Sequence, residues 1–310
     1  MTRVLAADIG ATNARFALVD NPAGAARIVF ERIYPTASFP DFEPALAAFL
    51  DETRGEKISR ATIAIAGPIG EQAGRLLNRS AWSVDPSSLE ALGIEAKLIN
   101  DFEALAHGVA HAGPDDSICL QAGKPLPHAA IALVGAGTGL GVASLVWNGQ
   151  RYLARASEGG HVGFAPRDEL QLELCRHLLA RHGRASAERV LCGAGLVAIY
   201  KFLQGETLDD PAAISARALA DPSSLAARAL DLFVSCYGAF AGDMALAFLA
   251  RGGVYVCGGI AAKLARRLAA GDFLAAFNEK GRHRELVASI SVRVVTNEKL
   301  GLLGAARAAA

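Results

Sequence analysis

The sequence predicts an α/β protein built as two α/β halves. Short apolar runs of β type alternate with stretches of helical spacing, the pattern of α/β architecture. The alternation starts afresh after Pro114. At roughly 150 residues per domain, a chain of 310 residues is long enough for about two domains, each with a sizeable core.

The elements follow in order. Residues 4–9 and 15–19 are apolar runs on either side of a turn, and 27–34 extends the series. From 40 to 50 the spacing turns helical, with Phe42, Leu46, Phe49 and Leu50 on one face. Residues 61–66 read as a buried strand stopped by Gly67-Pro68. A run at 97–99 leads into Asn100-Asp101, a polar pair suited to cap a helix over 102–109. After the restart, 131–134 and 142–147 flank a glycine cluster and read as strand, turn and strand. Helices are expected over 169–181, 196–203 and 223–249. A buried strand over 253–257 is closed by Gly258-Gly259, and a helix over 260–268 follows. A strand over 290–295 and a helix over 300–309 complete the series. The expected domains are 1–111 with 298–310 returning to it, and 112–297.

Composition removes several function classes. Lys+Arg and Asp+Glu both number 31, so no broad basic field exists to hold a nucleic-acid backbone. Hydrophobic residues are 52% and charged residues 20%, which disfavours long disorder. Five scattered cysteines without a C-x-x-C pair read as reduced core thiols. A carboxylate at position 8 comes too early for a secretory h-region, so a cytoplasmic protein without a membrane segment is expected. Glycine is in surplus, 32 residues or about 10% against roughly 7% in average usage. Where it clusters indicates where backbone must come close to something.

Four segments carry chemistry. In Asp8-Ile-Gly10-Ala11-Thr12-Asn13, a strand-end carboxylate precedes small residues whose amides and hydroxyls suit an anion, and Asp8 suits a hydrated Mg²⁺. The same residues also serve an ordinary hairpin turn. Gly135-Ala-Gly137-Thr138-Gly139-Leu-Gly141 exposes amides at high density. It is neither a dinucleotide fingerprint, because Leu140 stands where Gly is needed, nor a Walker A loop, because no Gly-Lys-Ser/Thr follows. Asp101 at a strand-to-helix junction can take a proton from a hydroxyl, or simply cap the helix with Asn100. Glu158-Gly-Gly-His161, with Glu188 downstream, offers two carboxylates and an imidazole to several hydroxyls of a polyol. His107 and His111 lie four apart, but the Glu of H-E-x-x-H and any neighbouring Cys are missing.

In order along the chain, these segments resemble the bacterial glucokinase family of ATP-dependent sugar kinases. D-I-G-A-T-N-A-R is similar to its first phosphate motif, I-N-D-F to its catalytic segment and G-A-G-T-G-L-G to its second phosphate motif. E-G-G-H-V-G-F-A-P and S-A-E-R-V-L-C-G-A-G-L resemble its sugar-contacting segments, V-C-G-G-I its adenosine-side turn and L-G-L-L-G-A-A its closing helix. The resemblance implies two ribonuclease-H-like (actin-like ATPase) domains flanking a cleft. It implies Asp101 as general base on the sugar 6-hydroxyl, with Asn100, Glu158, His161, Glu188 and Asn78 on the sugar. It also implies Mg²⁺ on Asp8 through water, ATP phosphates on Gly10, Ala11, Thr12, Asn13, Gly137, Thr138 and Gly139, and adenosine at Gly258 and Gly259. One segment departs: the family's T-N-x-x-W stands here as Leu77-Asn78-Arg79-Ser80-Ala81-Trp82, so Asn78 lies one residue further from Trp82. No Cys-rich cluster follows His161, so no structural zinc is expected.

The implied reaction is transfer of the γ-phosphoryl group of ATP to glucose, with domain closure on the sugar keeping water out. Gly67-Pro68 and residues 111–114 are candidate hinges. Rival readings are a kinase of the same fold for fructose, mannose or an N-acetylhexosamine, and a sugar-responsive regulator without turnover. An actin- or chaperone-like ATPase is a third. A homodimer is the expected assembly, as the commonest form of soluble oligomer.

Overall fold

The structure is a computed structural model describing residues 3–67, 82–204 and 208–309, together with the backbone of Gly74–Arg75. The chain divides into two compact units. The first contains residues up to 113, with 153–156 and 297 onward; the second contains 114–152 and 157–296.

The first unit is built on β1 (Arg3–Ile9), β2 (Asn13–Asp20), β3 (Arg27–Pro35), β4 (Arg60–Ile65) and β7 (Glu95–Asn100), in sheet order β3-β2-β1-β4-β7. The short pair β5 (Gly74–Arg75) and β6 (Ser83–Val84) stands apart. β1, β2 and β3 pair antiparallel, whereas β1, β4 and β7 run parallel. Every residue from Val4 to Ala7 is fully buried, because both faces of the sheet are covered. Alternation sorts them. Leu5, Ala7 and Ile9 pack with Phe42, Leu46 and Phe49 of α1 (Phe42–Glu52). Val4 and Ala6 pack with Ala104 of α3 (Asp101–Val109) and with Leu302, Ala305 and Ala306 of the C-terminal helix Leu300–Ala308. The one-turn helix α2 (Ser87–Glu90) precedes β7. The C-terminal helix crosses α3 at glycine: a Cβ on Gly304 would lie 1.8 Å from the Ala104 carbonyl oxygen, and one on Gly108 2.1 Å from that of Leu300. These helices meet backbone to backbone.

The second unit carries β8 (Ser117–Gln121), β9 (Ile131–Ala136), β10 (Leu140–Trp147), β11 (Tyr152–Ser157), β12 (Gly253–Cys257) and β13 (Val292–Val295), in order β11-β10-β9-β12-β13-β8. β10 and β9 form an antiparallel hairpin, and β9, β12 and β13 run parallel. The run β11-β10-β9-β12-β13 therefore repeats the strand order of the first sheet, with β8 added at the edge. Its helices are α4 (Glu169–His182), α5 (Gly193–Phe202), α6 (Pro211–Ala220), α7 (Leu225–Ala247), α8 (Gly258–Lys263), α9 (Ala265–Leu268), α10 (Asp272–Asn278) and α11 (Arg284–Ala288). α7 is long and apolar enough to cross a membrane, but 78% of its apolar window is buried. Phe233, Tyr237 and Phe240 place it in the core.

The sequence reading matches most elements to within two residues. The exceptions have local causes. The helix expected over 260–268 starts at Gly258 and breaks at Leu264 into α8 and α9. β8 and β11 are short and lack clean apolar alternation, and α10 is only seven residues long. Of the expected core thiols, Cys192, Cys236 and Cys257 are buried, Cys175 is half-buried and Cys119 is exposed on edge strand β8.

Candidate active site

In the first unit the parallel strands β1, β4 and β7 end side by side, with Ile9 opposite Ile65 and Ile65 opposite Asn100. The carboxyl ends of parallel strands are where α/β folds place their ligands. Asp8 lies on the same face as Val4 and Ala6, under the C-terminal helix. Gly301 of that helix lies beside it, where a Cβ would make ordinary contact with Asp8 Oδ2 at 3.8 Å. Loss of solvent holds the Asp8 carboxyl above the usual carboxylate range, and Arg15, its partner across the strands, opposes that rise. Arg15 also donates to the carbonyl and Oε2 of Glu298, both at 3.4 Å.

The turn after Asp8 is pinned from outside. The Gly10 amide donates to the Asn13 carbonyl at 2.9 Å. Thr36 donates its amide to the Thr12 carbonyl at 2.9 Å and its hydroxyl to the Gly10 carbonyl at 3.1 Å. Thr12 and Asn13 stay exposed at the tip. At the end of β7, Asn100 caps α3 by accepting from the amides of Phe102 at 2.9 Å and Glu103 at 3.3 Å. Its Nδ2 donates to the Gly67 carbonyl at 3.3 Å. Asp101, half-buried in the first turn, accepts from the Phe102 amide at 2.9 Å. The pair thus caps α3 together. Asn78 lies outside the described residues.

In the second unit the glycine cluster is a three-residue turn, Gly137-Thr138-Gly139, between β9 and β10. The Gly137 amide donates to the Gly139 carbonyl at 2.8 Å, and the Gly193 amide donates to the Gly137 carbonyl at 2.9 Å. Gly193–Gly195, just ahead of the helix expected from residue 196, form the first turn of α5, whose N-cap Cys192 accepts from the Gly195 amide at 3.3 Å. Glu158, His161 and Glu188 converge: His161 Nε2 is 3.7 Å from Glu158 Oε2 and Nδ1 is 3.9 Å from Glu188 Oε1. Backbone bonds assemble them, from Glu188 N to Gly160 O at 2.9 Å and from Ala187 N to Val162 O at 2.8 Å. At the end of β12, Gly258 takes a φ of +88°, where a Cβ would stand 2.5 Å from the Ala136 carbonyl oxygen. Gly259 faces open space. A separate cavity of about 1030 Å³ in this unit, lined by Arg167, Asp231, Arg228 and Arg284 among others, includes none of these residues.

The glucokinase family profile matches residues 5–310. A glucokinase from a Nostoc species is 39% identical, the match covering all of this chain and 99% of the relative. The chain belongs to the glucokinase family. The crystal structure of a glucokinase from an Antarctic psychrotroph superposes with a TM-score of 0.88 at 31% identity, covering 100% of this chain and 99% of that one. A ROK-family glucokinase from Streptomyces griseus, solved with glucose and AMPPNP, superposes at 0.66 and 21% identity over 99% of both chains. The two sheets are those of the actin-like ATPase fold.

One support of the turns, Thr36, escaped the sequence reading, and the contact of a second, Gly193, was not foreseen. Thr36 reaches Gly10 only because β2 and β3 pair with Asn13 opposite Pro35, a register set 22 residues apart in the chain. Gly193 meets the Gly137–Gly139 turn through tertiary packing. The motif order names the candidate residues but not these supports.

Proposed function

We propose that this chain catalyses ATP + D-glucose → ADP + glucose 6-phosphate, with Asp101 as general base. Family membership supports the reaction. The observation that carries the sugar assignment is the convergence of Glu158, His161 and Glu188, whose acceptors and donors suit neighbouring ring hydroxyls. Asn100 and Asp101 would hold the reacting 6-hydroxyl, with Asp101 accepting its proton as the oxygen attacks phosphorus. Glycine turns at 10–13 and 137–139 would present amides to phosphate oxygens, and Gly258-Gly259 would admit the adenosine.

The residues fit Mg²⁺ at Asp8. A carboxylate at the end of β1, beside the exposed Thr12–Asn13 tip of the turn, suits a hydrated ion that takes one or two carboxylates and completes its shell with water and substrate phosphates. When bound, the ion neutralises phosphate charge. Asp8 would hold it through water.

The test is ADP release with ATP·Mg²⁺, with and without glucose. Strong glucose dependence is expected; equal ADP release without sugar would overturn the reading in favour of a simple ATPase.

A further inference from the structure

We propose that Glu188 is a positioning residue that couples the sugar-contacting loop to the phosphate turn, so that sugar binding orders the nucleotide site. The inference rests on the function proposed above and adds a link within the second unit. Its two carboxylate oxygens have different duties. Oε2 accepts from the Leu140 amide at 3.0 Å, the first residue after Gly137-Thr138-Gly139. Oε1 is the oxygen near His161, 3.9 Å from Nδ1, and the side chain keeps 31% of its surface exposed. One oxygen therefore holds the phosphate turn while the other is presented with the sugar-contacting set.

The packing leaves little slack. A methyl on Gly139 would stand 2.7 Å from Glu188 Oε2. A Cβ on Gly160, in the sugar loop, would stand 1.9 Å from the Leu140 carbonyl oxygen, and the Glu188 amide is bonded to the Gly160 carbonyl at 2.9 Å. Turn, sugar loop and Glu188 thus meet around Leu140. A sugar hydroxyl bonded to Oε1 fixes the carboxylate plane, which fixes Oε2 on the Leu140 amide and holds the turn in one conformation. Thermodynamic linkage makes the effect reciprocal: whatever factor sugar contributes to nucleotide affinity, nucleotide contributes to sugar affinity.

The test separates two neighbouring glycines. Gly137 has nothing within 4 Å of its would-be Cβ, whereas Gly139 meets Glu188, and neither takes a left-handed φ. Glucose is titrated calorimetrically into the full chain without nucleotide. Gly139→Ala is expected to weaken glucose by about tenfold, the scale of one hydrogen bond to a charged group, and Gly137→Ala by less than about twofold. Reciprocally, Glu188→Ala is expected to weaken AMPPNP by about tenfold with no sugar present. Equal glucose affinities in the two glycine variants would overturn the coupling, as would unchanged AMPPNP binding in Glu188→Ala. Should Gly139→Ala melt early, the Glu188→Ala arm decides. A wild-type chain without glucose-dependent ADP release would sink the function itself; an active wild type with unsplit variants would sink only the coupling.

Discussion

Gly304→Ala places one methyl group where two helices touch through their backbones. The new Cβ would stand 1.8 Å from the Ala104 carbonyl oxygen and 2.5 Å from the Gly108 amide nitrogen, whereas ordinary contact begins at 3.4 Å. The helices must separate by about 1.6 Å, or about 0.8 Å each if they share the movement. No rotamer change relieves a clash with backbone, so the overpacking cost is about 1–3 kcal/mol, against a gain of roughly 1 kcal/mol from replacing helical Gly by Ala. The net loss should lower the melting temperature by a few degrees at most. The kinetic effect should be larger, because α3 carries Asn100 and Asp101 at its first turn. A reacting group misplaced by 1 Å costs on the order of 10²-fold, so a shift of about 0.8 Å predicts a kcat reduced about tenfold or more. A coupled ADP assay over a glucose series, beside a thermal melt, reads both. A variant with kcat within about twofold of wild type would refute the claim that this crossing sets the Asp101 position.

Further outcomes are expected. Asp101→Ala should reduce kcat by roughly 10²–10⁴ while calorimetry still detects glucose binding, and near-normal turnover would remove Asp101 from the general-base role. Thr62 is fully buried on β4 with its hydroxyl unpartnered, so Thr62→Val should raise stability by about 1 kcal/mol, read as an upward shift in denaturant midpoint. Asp20 is held below the usual carboxylate range chiefly by its hydrogen bond from Arg3, with Oδ1 2.6 Å from Nε. A depressed folded-state pKa gives stability that is present above the unfolded value and lost as pH falls through the folded one. Asp20→Asn should therefore melt earlier than wild type at neutral pH, and the gap should close in acid below the ordinary Asp range. A gap independent of pH would place the effect in packing.

The periodic parts of the fold were legible because burial imposes them directly. The apolar run at 4–9 and the helical spacing at 42–50 leave those segments few other ways to cover their surfaces. Cys119 was misread because its exposure follows from β8 lying at a sheet edge, and edge position is a property of strand order. The helix expected from 196 starts earlier, at Gly193, because glycine reads as a helix breaker, whereas here the missing side chain of Gly195 lets the first turn lie against the Val190 carbonyl.

The sequence by itself determined the two α/β halves, the glycine turns and the polar residues around them, because backbone conformation and alternation are written locally. Only the tertiary structure decided that the Glu158–His161 loop and the Ser186–Glu188 segment meet, that Thr36 holds the first turn, and that Glu188 spends one oxygen on Leu140. It also decided that the C-terminal helix lies on α3 without intervening side chains. Those arrangements depend on which strands pair and how closely helices pack. Such choices are settled by the summed burial of distant segments, which no local window of sequence contains.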